Sequence, residues 1–294
     1  SSLPSTICGP SLKTAPAVAA MMTQHRSARS TLPLRTVISR PPGLRLFAGC
    51  WVPASSVGHM PVPDTARTGP DDALHRGLTD DLRLAHLLAD DADSITMSRF
   101  RSLDLQVTAK PDLTPVSDAD TAAEQAIRRT LSRARPRDAV HGEEMGDTGW
   151  GPRRWVVDPI DGTKAFVRGV PVWATLIGLM IGDTPVVGVV SAPALGRRWW
   201  ASLGGGAYAG KSLMSASQIR VSNVATIEDA SLSYASISAW VESHQGQQFV
   251  DLLRRCWRTR GYGDFWSYVL LAEGGVDIAC EPELELHDMA ACSI

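Results

Sequence analysis

The sequence predicts a mixed α/β domain, on three observations. Helical periodicity comes first, before about residue 135, strands joined by hairpin turns run from residue 155, and beyond them helix and strand alternate. That order suits a layered architecture in which sheets are covered by helices. With 294 residues, 44% hydrophobic and 20% charged, the chain can bury a sizeable core.

Residues 1–75 are rich in Ser, Pro, Ala and Arg and keep no period of 2 or 3.6, so a disordered basic leader is predicted there, with the folded domain at 76–294. The first 63 residues hold no Asp or Glu and six Lys/Arg (Lys13, Arg26, Arg29, Arg35, Arg40, Arg45). An organelle transit peptide has this composition. The alternative is a flexible leader with Met60 as the true start. In TDDLRLAHLLADDADSITMSRF, Leu84, Leu87, Leu88, Ala92 and Ile95 repeat at helical spacing behind Thr79 as the expected N-cap. Asp90, Asp91 and Asp93 are expected on that helix's solvated face. SDADTAAEQAIRRTL predicts a second helix starting at Ser117 or Asp118, with Ala122, Ile127 and Leu131 inward. The arginines of RRTLSRARPR then complement the helix dipole and stay in water.

WVVD reads as a short buried strand. TLIGLMI and VVGVVSAPA form a hairpin across Gly182-Asp183-Thr184-Pro185, and RRWWAS follows, with Trp199 and Trp200 as core or interface residues. Gly204-Gly205-Gly206 reads as a strand turn. SLSYAS is a strand, FWSYVLLAEGG a helix that stops at Gly274-Gly275, and VDIACE a further strand. There are no internal repeats.

Removing the six basic residues of the leader from 29 Lys/Arg leaves 23 against 31 Asp/Glu, a net of −8 for the remainder. An acidic body argues against a nucleic-acid partner, because phosphate-backbone binding depends on Lys and Arg. It suits a site that collects divalent cations. The five scattered cysteines form no C-x-x-C pair and read as free thiols. No apolar run is long enough to span a bilayer, so no membrane partner is expected. No G-x-x-x-x-G-K-[ST] loop or H-E-x-x-H zinc motif occurs.

The chemistry concentrates in WVVDPIDGTKAF, where a buried strand ends in Asp158-Pro159-Ile160-Asp161-Gly162-Thr163. The turn brings two carboxylates to one rim, which costs several kcal/mol or forces a proton onto one of them. A divalent cation removes the conflict. Oxygen ligands in a tight bend fit Mg²⁺, which combines carboxylates with waters and substrate phosphate, and the Ile160 carbonyl is free to join them. Asp161, Gly162 and Thr163 would form the phosphate seat, with amides of a helical turn facing the anion. The bland alternative is an Asp-rich strand cap without metal. HGEEMG, LTPVSDAD and LHDMAA add Glu143, Glu144, Asp118 and Asp288 as further acids, each of which alone is a surface group or helix cap.

Gly142-Glu143-Glu144, the DPIDGT hexapeptide and His287-Asp288-Met289-Ala290-Ala291 together resemble the inositol-monophosphatase-like family of Mg²⁺-dependent phosphatases, over residues 78–294. The resemblance implies a layered α-β-α-β-α sandwich and two or three Mg²⁺ ions, with Mn²⁺ as a substitute. It implies one ion on Glu143, Asp158 and the Ile160 carbonyl, and a second on Asp158, Asp161 and Asp288. Asp118, Glu143 and Thr163 are the implied catalytic residues: Asp118 and Glu143 hold, mostly through water, a third ion that activates the attacking water, and Thr163 helps to orient it. Members also imply a cytoplasmic homodimer acting on a small phosphate ester; organelle targeting is the alternative if the leader is a transit peptide.

The chain departs from the family pattern at Ala165, where Asn is usual, and at His287, where Trp is usual. A packing replacement is expected at His287, with metal ligation the alternative. The family also continues past W-D-x-A-A with another strand and helix, so a C-terminally incomplete domain is expected. RGYGDFWSY, with Asp264 followed by aromatics, resembles the histidinol-phosphate phosphatase branch, in which a carboxylate suits an amine or imidazolium. Glu281 falls where the family places a substrate-contacting acid, and a helix-capping role is the alternative for Asp264. The implied activity is hydrolysis of L-histidinol phosphate in histidine biosynthesis. The alternatives are an inositol-phosphate or nucleotide-bisphosphate phosphatase and an inactive relative serving as a binding module.

Overall fold

The computed structural model describes residues 50, 51 and 70–294, with side chains described from Gly77 onward. The elements run β1 (Cys50–Trp51), α1 (Pro70–Arg99), β2 (Val107–Ala109), β3 (Pro115–Ser117), α2 (Asp118–Ala134), β4 (Ala139–Gly142), β5 (Gly146–Thr148), β6 (Arg153–Asp161) and α3 (Thr163–Val167). A meander of β7 (Ala174–Ile181), β8 (Thr184–Ala192), β9 (Arg197–Ser202), β10 (Gly206–Gly210) and β11 (Ala216–Gln218) follows. The chain then forms β12 (Ser231–Tyr234), α4 (Ile237–Glu242), α5 (Gly246–Arg255), β13 (Arg258–Arg260), α6 (Asp264–Ala272), β14 (Ile278–Cys280) and α7 (Leu286–Met289).

The large sheet has the order β11-β10-β9-β8-β7-β6-β4-β5, and a smaller one the order β1-β14-β12-β13. Strand alternation sends Ile177 and Leu179 of β7 to one face, where they meet Leu84, Leu88 and Ala92 of α1 and Ala123, Ile127 and Leu131 of α2. Leu176 of β7, with Val190 and Trp199, packs on the other face against Phe265 and Val269 of α6. Beyond α6 lies the small sheet, reached through Tyr268, Leu271 and Ala279. Its far side is covered by Trp240 of α4 and Phe249 and Leu252 of α5. The layers are therefore helix, sheet, helix, sheet, helix, as expected, and Trp199 and Trp200 are both buried core.

Two glycines set the distance between the large sheet and α7. Gly178 and Gly188 face each other across β7 and β8. A Cβ on Gly178 would lie 2.9 Å from Ala290, and one on Gly188 would lie 2.3 Å from the Ala291 carbonyl. Only bare backbone lets the segment after α7 lie directly on the strands. Asp288, one turn earlier, is thereby brought to the rim of β6.

Several helix details differ from expectation. The first helix begins at Pro70, so Thr79 lies within it and is not its cap. PDDALHRG carries too few apolar residues to show a stripe, and Pro is well suited to a first helical position. Both this start and the β1–β14 pairing fall in the segment expected to be disordered; the rest of 1–75 lies outside the described residues. Leu87 is 59% exposed, because the inward face passes through Ala85, Leu88, Ala89 and Ala92. In α2 the buried alanines are Ala119, Ala123 and Ala126, with Ala122 half-buried. Asp90 and Asp91 are exposed, but Asp93 turns inward to Ser191 (2.7 Å) and Arg198 (2.6 Å), tying α1 to β8 and β9.

Candidate metal and phosphate site

The site is assembled at the C-terminal rim of β6. Strand β4 lies parallel to β6 with Gly142 opposite Val157, and Glu143 N–H extends the ladder by donating to the Val157 carbonyl (3.1 Å). That register sets Glu143 beside Asp158. Gly142 must lack a side chain, since a Cβ there would come within 2.0 Å of the buried Glu124 carboxylate. Glu124 in turn accepts from the amides of Glu144 (2.8 Å) and Met145 (3.1 Å), fixing the turn that carries both glutamates.

The strand slips register between Asp158 and Asp161, so both carboxylates reach the same rim despite their odd spacing. Asp158 is 2% exposed and accepts from the Ile160 amide (3.0 Å). Thr175 Oγ1 donates to the Pro159 carbonyl (2.8 Å), and Thr163 Oγ1 donates to that of Ile160 (2.9 Å). Gly162, at φ 85°, turns the chain into α3. Asp161 accepts from the Phe265 amide (2.5 Å), at the N-terminal end of α6, where a carboxylate is favoured.

Asp264 is the first helical residue of α6 and sits at φ 48°, in the left-handed region; Gly263 holds the cap position. The capping alternative for Asp264 therefore does not describe it. Its carboxylate presses on Gly162, where a Cβ would lie 3.3 Å from Oδ2. Glu281, just after β14, has a buried Oε1 without a hydrogen-bond partner among the described residues. The Coulombic field at Asp161 comes from Asp264, Asp288 and Glu281.

One carboxylate oxygen from each of Asp158, Asp161 and Asp288 falls within a 4.8 Å group, as do donor atoms of Glu143, Asp158 and His287. Burial, followed by the charges of Glu143, Asp161 and Asp288, pushes the Asp158 pKa well up. Burial and Asp264 do the same to Asp161. Burial also raises Asp264 and Asp288, and lifts Glu281 to about 8. Lys110 supplies a positive charge, 2.7 Å from Glu143 and 2.8 Å from Glu144. Glu144, pushed by burial to about 7, belongs to that pair and not to the ligand groups. Acids this crowded fit divalent ions, which offset the mutual repulsion of Asp158, Asp161 and Asp288.

Of the residues singled out in the sequence, Glu143, Asp158, Asp161, Asp288, Thr163, Asp264, Glu281 and the Ile160 carbonyl share this rim. Asp118 does not join them: it is bound to Arg99 (2.7 Å) on a half-exposed helix end. Asp120 takes the inward position instead, fully buried, accepting from Ser117 N (2.8 Å) and Oγ (2.5 Å) and lying 3.5 Å from Thr163 Oγ1. Burial raises its pKa to about 6, with the Glu143 charge adding to the rise. The signal was present in Ser-x-x-Asp: with Ser117 at the cap, the acid three residues on turns back toward the helix start. Lys110 and Glu124 were also missed, and their local sequence offers no comparable signal.

The model of the inositol monophosphatase family matches residues 79–294, and the chain belongs to that family. A histidinol-phosphatase of Streptomyces coelicolor is 64% identical over 219 residues, covering 73% of this chain and 82% of the relative. One of Mycobacterium tuberculosis is 55% identical over 216 residues, covering 73% and 83%. Among solved structures, an inositol monophosphatase of Zymomonas mobilis superimposes with a TM-score of 0.62 at 35% identity, covering 73% of this chain and 81% of that one.

Proposed function

We propose that this chain is a Mg²⁺-dependent phosphomonoesterase that hydrolyses L-histidinol phosphate to L-histidinol and phosphate in histidine biosynthesis. The observation that carries the reading is the adjacency of two acidic groups: a carboxylate cage at Asp158, Asp161 and Asp288, and a second shelf at Asp264 and Glu281 beside it. The first suits metal and phosphate; the second suits a cationic leaving group. The two histidinol-phosphatase relatives support the same substrate.

Asp158, Asp161 and Asp288 would hold one ion, and Glu143, Asp158 and the Ile160 carbonyl another. When bound, the ions supply positive charge that polarises the phosphoryl group and favours departure of the ester oxygen. Thr163 Oγ1 lies between the Ile160 carbonyl and Asp120. With its proton turned to Asp120, Thr163 accepts a hydrogen bond from the attacking water and orients it in line with the ester bond. Asp120, with a pKa near 6, is ionised at neutral pH and receives the released proton. Asp264 and Glu281 face the amine and imidazole end of the substrate. A homodimeric state and a cytoplasmic site of action complete the proposal.

Phosphate release should be compared on histidinol phosphate, inositol 1-phosphate and a nucleotide bisphosphate, with and without chelator. The expected result is chelator-sensitive turnover dominated by histidinol phosphate. Preference for either other ester overturns the substrate. Chelator-insensitive turnover overturns the metal dependence, and absence of stoichiometric Mg²⁺ or Mn²⁺ binding would make the chain an inactive relative.

A further inference from the structure

His287 stands where the family pattern carries Trp, a residue with no lone pair to offer a cation. Its imidazole packs against an aromatic ring on one side and faces carboxylates on the other. A ring nitrogen lies within 4.8 Å of carboxylate oxygens of both Glu143 and Asp158, and Nε2 is 3.6 Å from Asp288 Oδ1. The ring face is backed by His141, with centroids 6.2 Å apart and planes 24° from parallel. His141 is itself held by Asp147, Nδ1 to Oδ1 at 2.7 Å.

We infer that His287 is a nitrogen ligand of the ion held by Glu143 and Asp158, which makes this chain's site mixed nitrogen–oxygen where an all-oxygen set is implied. Three ligands spaced evenly at about 2.1 Å from one ion stand at most about 3.6 Å from one another, so closure from separations of no more than 4.8 Å needs each ligand to move inward by at most about 0.7 Å. The chain position supports it: His287 and Asp288 are adjacent on α7, so the segment that delivers the oxygen ligand delivers the nitrogen. An imidazole donor favours later divalent ions over Mg²⁺. The site should therefore prefer Mn²⁺ to Mg²⁺ more strongly than an all-oxygen site does. This inference rests on the metal-site reading proposed above.

The test uses the full chain, stripped of metal and reloaded with Mn²⁺, read by electron spin-echo envelope modulation. Nitrogen coupling that changes on incorporation of isotopically labelled histidine is expected in the wild-type protein, lost in His287→Phe and retained in His141→Phe. Competition titration should show the Mn²⁺-over-Mg²⁺ preference falling in His287→Phe alone. Stoichiometric Mn²⁺ binding without histidine coupling overturns the inference and leaves the carboxylate site standing. Coupling that survives in His287→Phe overturns it as well. Failure of the wild-type protein to bind Mn²⁺ removes both readings, and the labelled wild-type measurement decides the matter even if the variant does not fold.

Discussion

Carboxylates gather at both ends of β6, in opposite electrostatic settings. At its start, Arg153 reaches Asp138 (3.1 Å) and Asp81 (2.9 Å), Arg135 adds a second contact to Asp81 (2.8 Å), and Trp155 Nε1 donates to Asp138 (3.0 Å). Both acids there are nearly buried, and the chain supplies their counter-charge. At its other end, Asp158 and Asp161 have no ion-pair partner among the described residues, Lys110 is taken by Glu143 and Glu144, and the field of Lys164 acts on Asp264. One end is neutralised by folding. The other is completed by something the chain does not contain.

The largest test of that difference is to remove a carboxylate from the open end. In Asp161→Asn, losing part of an ion's ligand set removes several kcal/mol of transition-state stabilisation, roughly a thousandfold or more in kcat at about 1.36 kcal/mol per decade. The same change removes a repelling charge, so the melting temperature without metal should hold or rise. Turnover near wild-type in excess Mg²⁺, or a marked loss of metal-free stability, would break the contrast.

A second effect follows from the raised carboxylates. Their folded pKa values exceed the unfolded ones, so the metal-free protein holds protons more tightly when folded. That stability is complete below about pH 4 and is lost as pH climbs through about 6 for Asp120, about 7 for Glu144 and about 8 for Glu281. Asp158, Asp161, Asp264 and Asp288 shift in the same direction. Mg²⁺ competes with those protons, so the gain in melting temperature it confers should be larger near pH 8 than near pH 5. Melts with and without Mg²⁺ check this; a gain that is flat or greater in acid contradicts it.

The same contrast explains what could be read in advance. Asp158 and Asp161 were legible because six consecutive residues define their strand end. That Asp264 and Glu281 lie near Asp161 was legible only through likeness to a family, their contacts being long-range. The Asp118 assignment failed because SDAD offers two acids, and only the helix-start geometry separates Arg99-bound Asp118 from buried Asp120. Asp93 was expected in water, since nothing within α1 announces Arg198, more than a hundred residues away on β9. Nor does any local pattern reveal that Gly178 and Gly188 are bare so that Ala290 and Ala291 can approach. Periodicity reports which face of an element is apolar, while counter-charges and close approaches depend on its neighbours.

At the neutralised end, Arg153→Met should do the reverse of Asp161→Asn. Asp81 keeps Arg135, but Asp138 is left with only a neutral donor. Breaking a fully buried pair costs about 3–5 kcal/mol; with the Arg153 side chain 32% exposed, roughly 2 kcal/mol is expected. Chemical denaturation should show that loss, while kcat of the folded fraction stays within about twofold. A large fall in kcat without a stability change would mean that the two ends are coupled and not independent.

The smallest expected effect lies on the substrate shelf. Glu281→Gln preserves shape but removes a charge that burial holds protonated up to about pH 8 in the free protein. A cationic group arriving beside it favours ionisation, so binding of histidinol phosphate near neutrality should expel a proton there. The resulting charged contact, at about 1.5 kcal/mol, makes the variant's kcat/KM for histidinol phosphate roughly tenfold lower, with no matching loss for inositol 1-phosphate. Below about pH 6 ionising Glu281 becomes more costly, and the difference between wild type and variant should shrink. Equal losses on both esters at every pH would assign Glu281 to the shape of the β14 end instead of to recognition of charge.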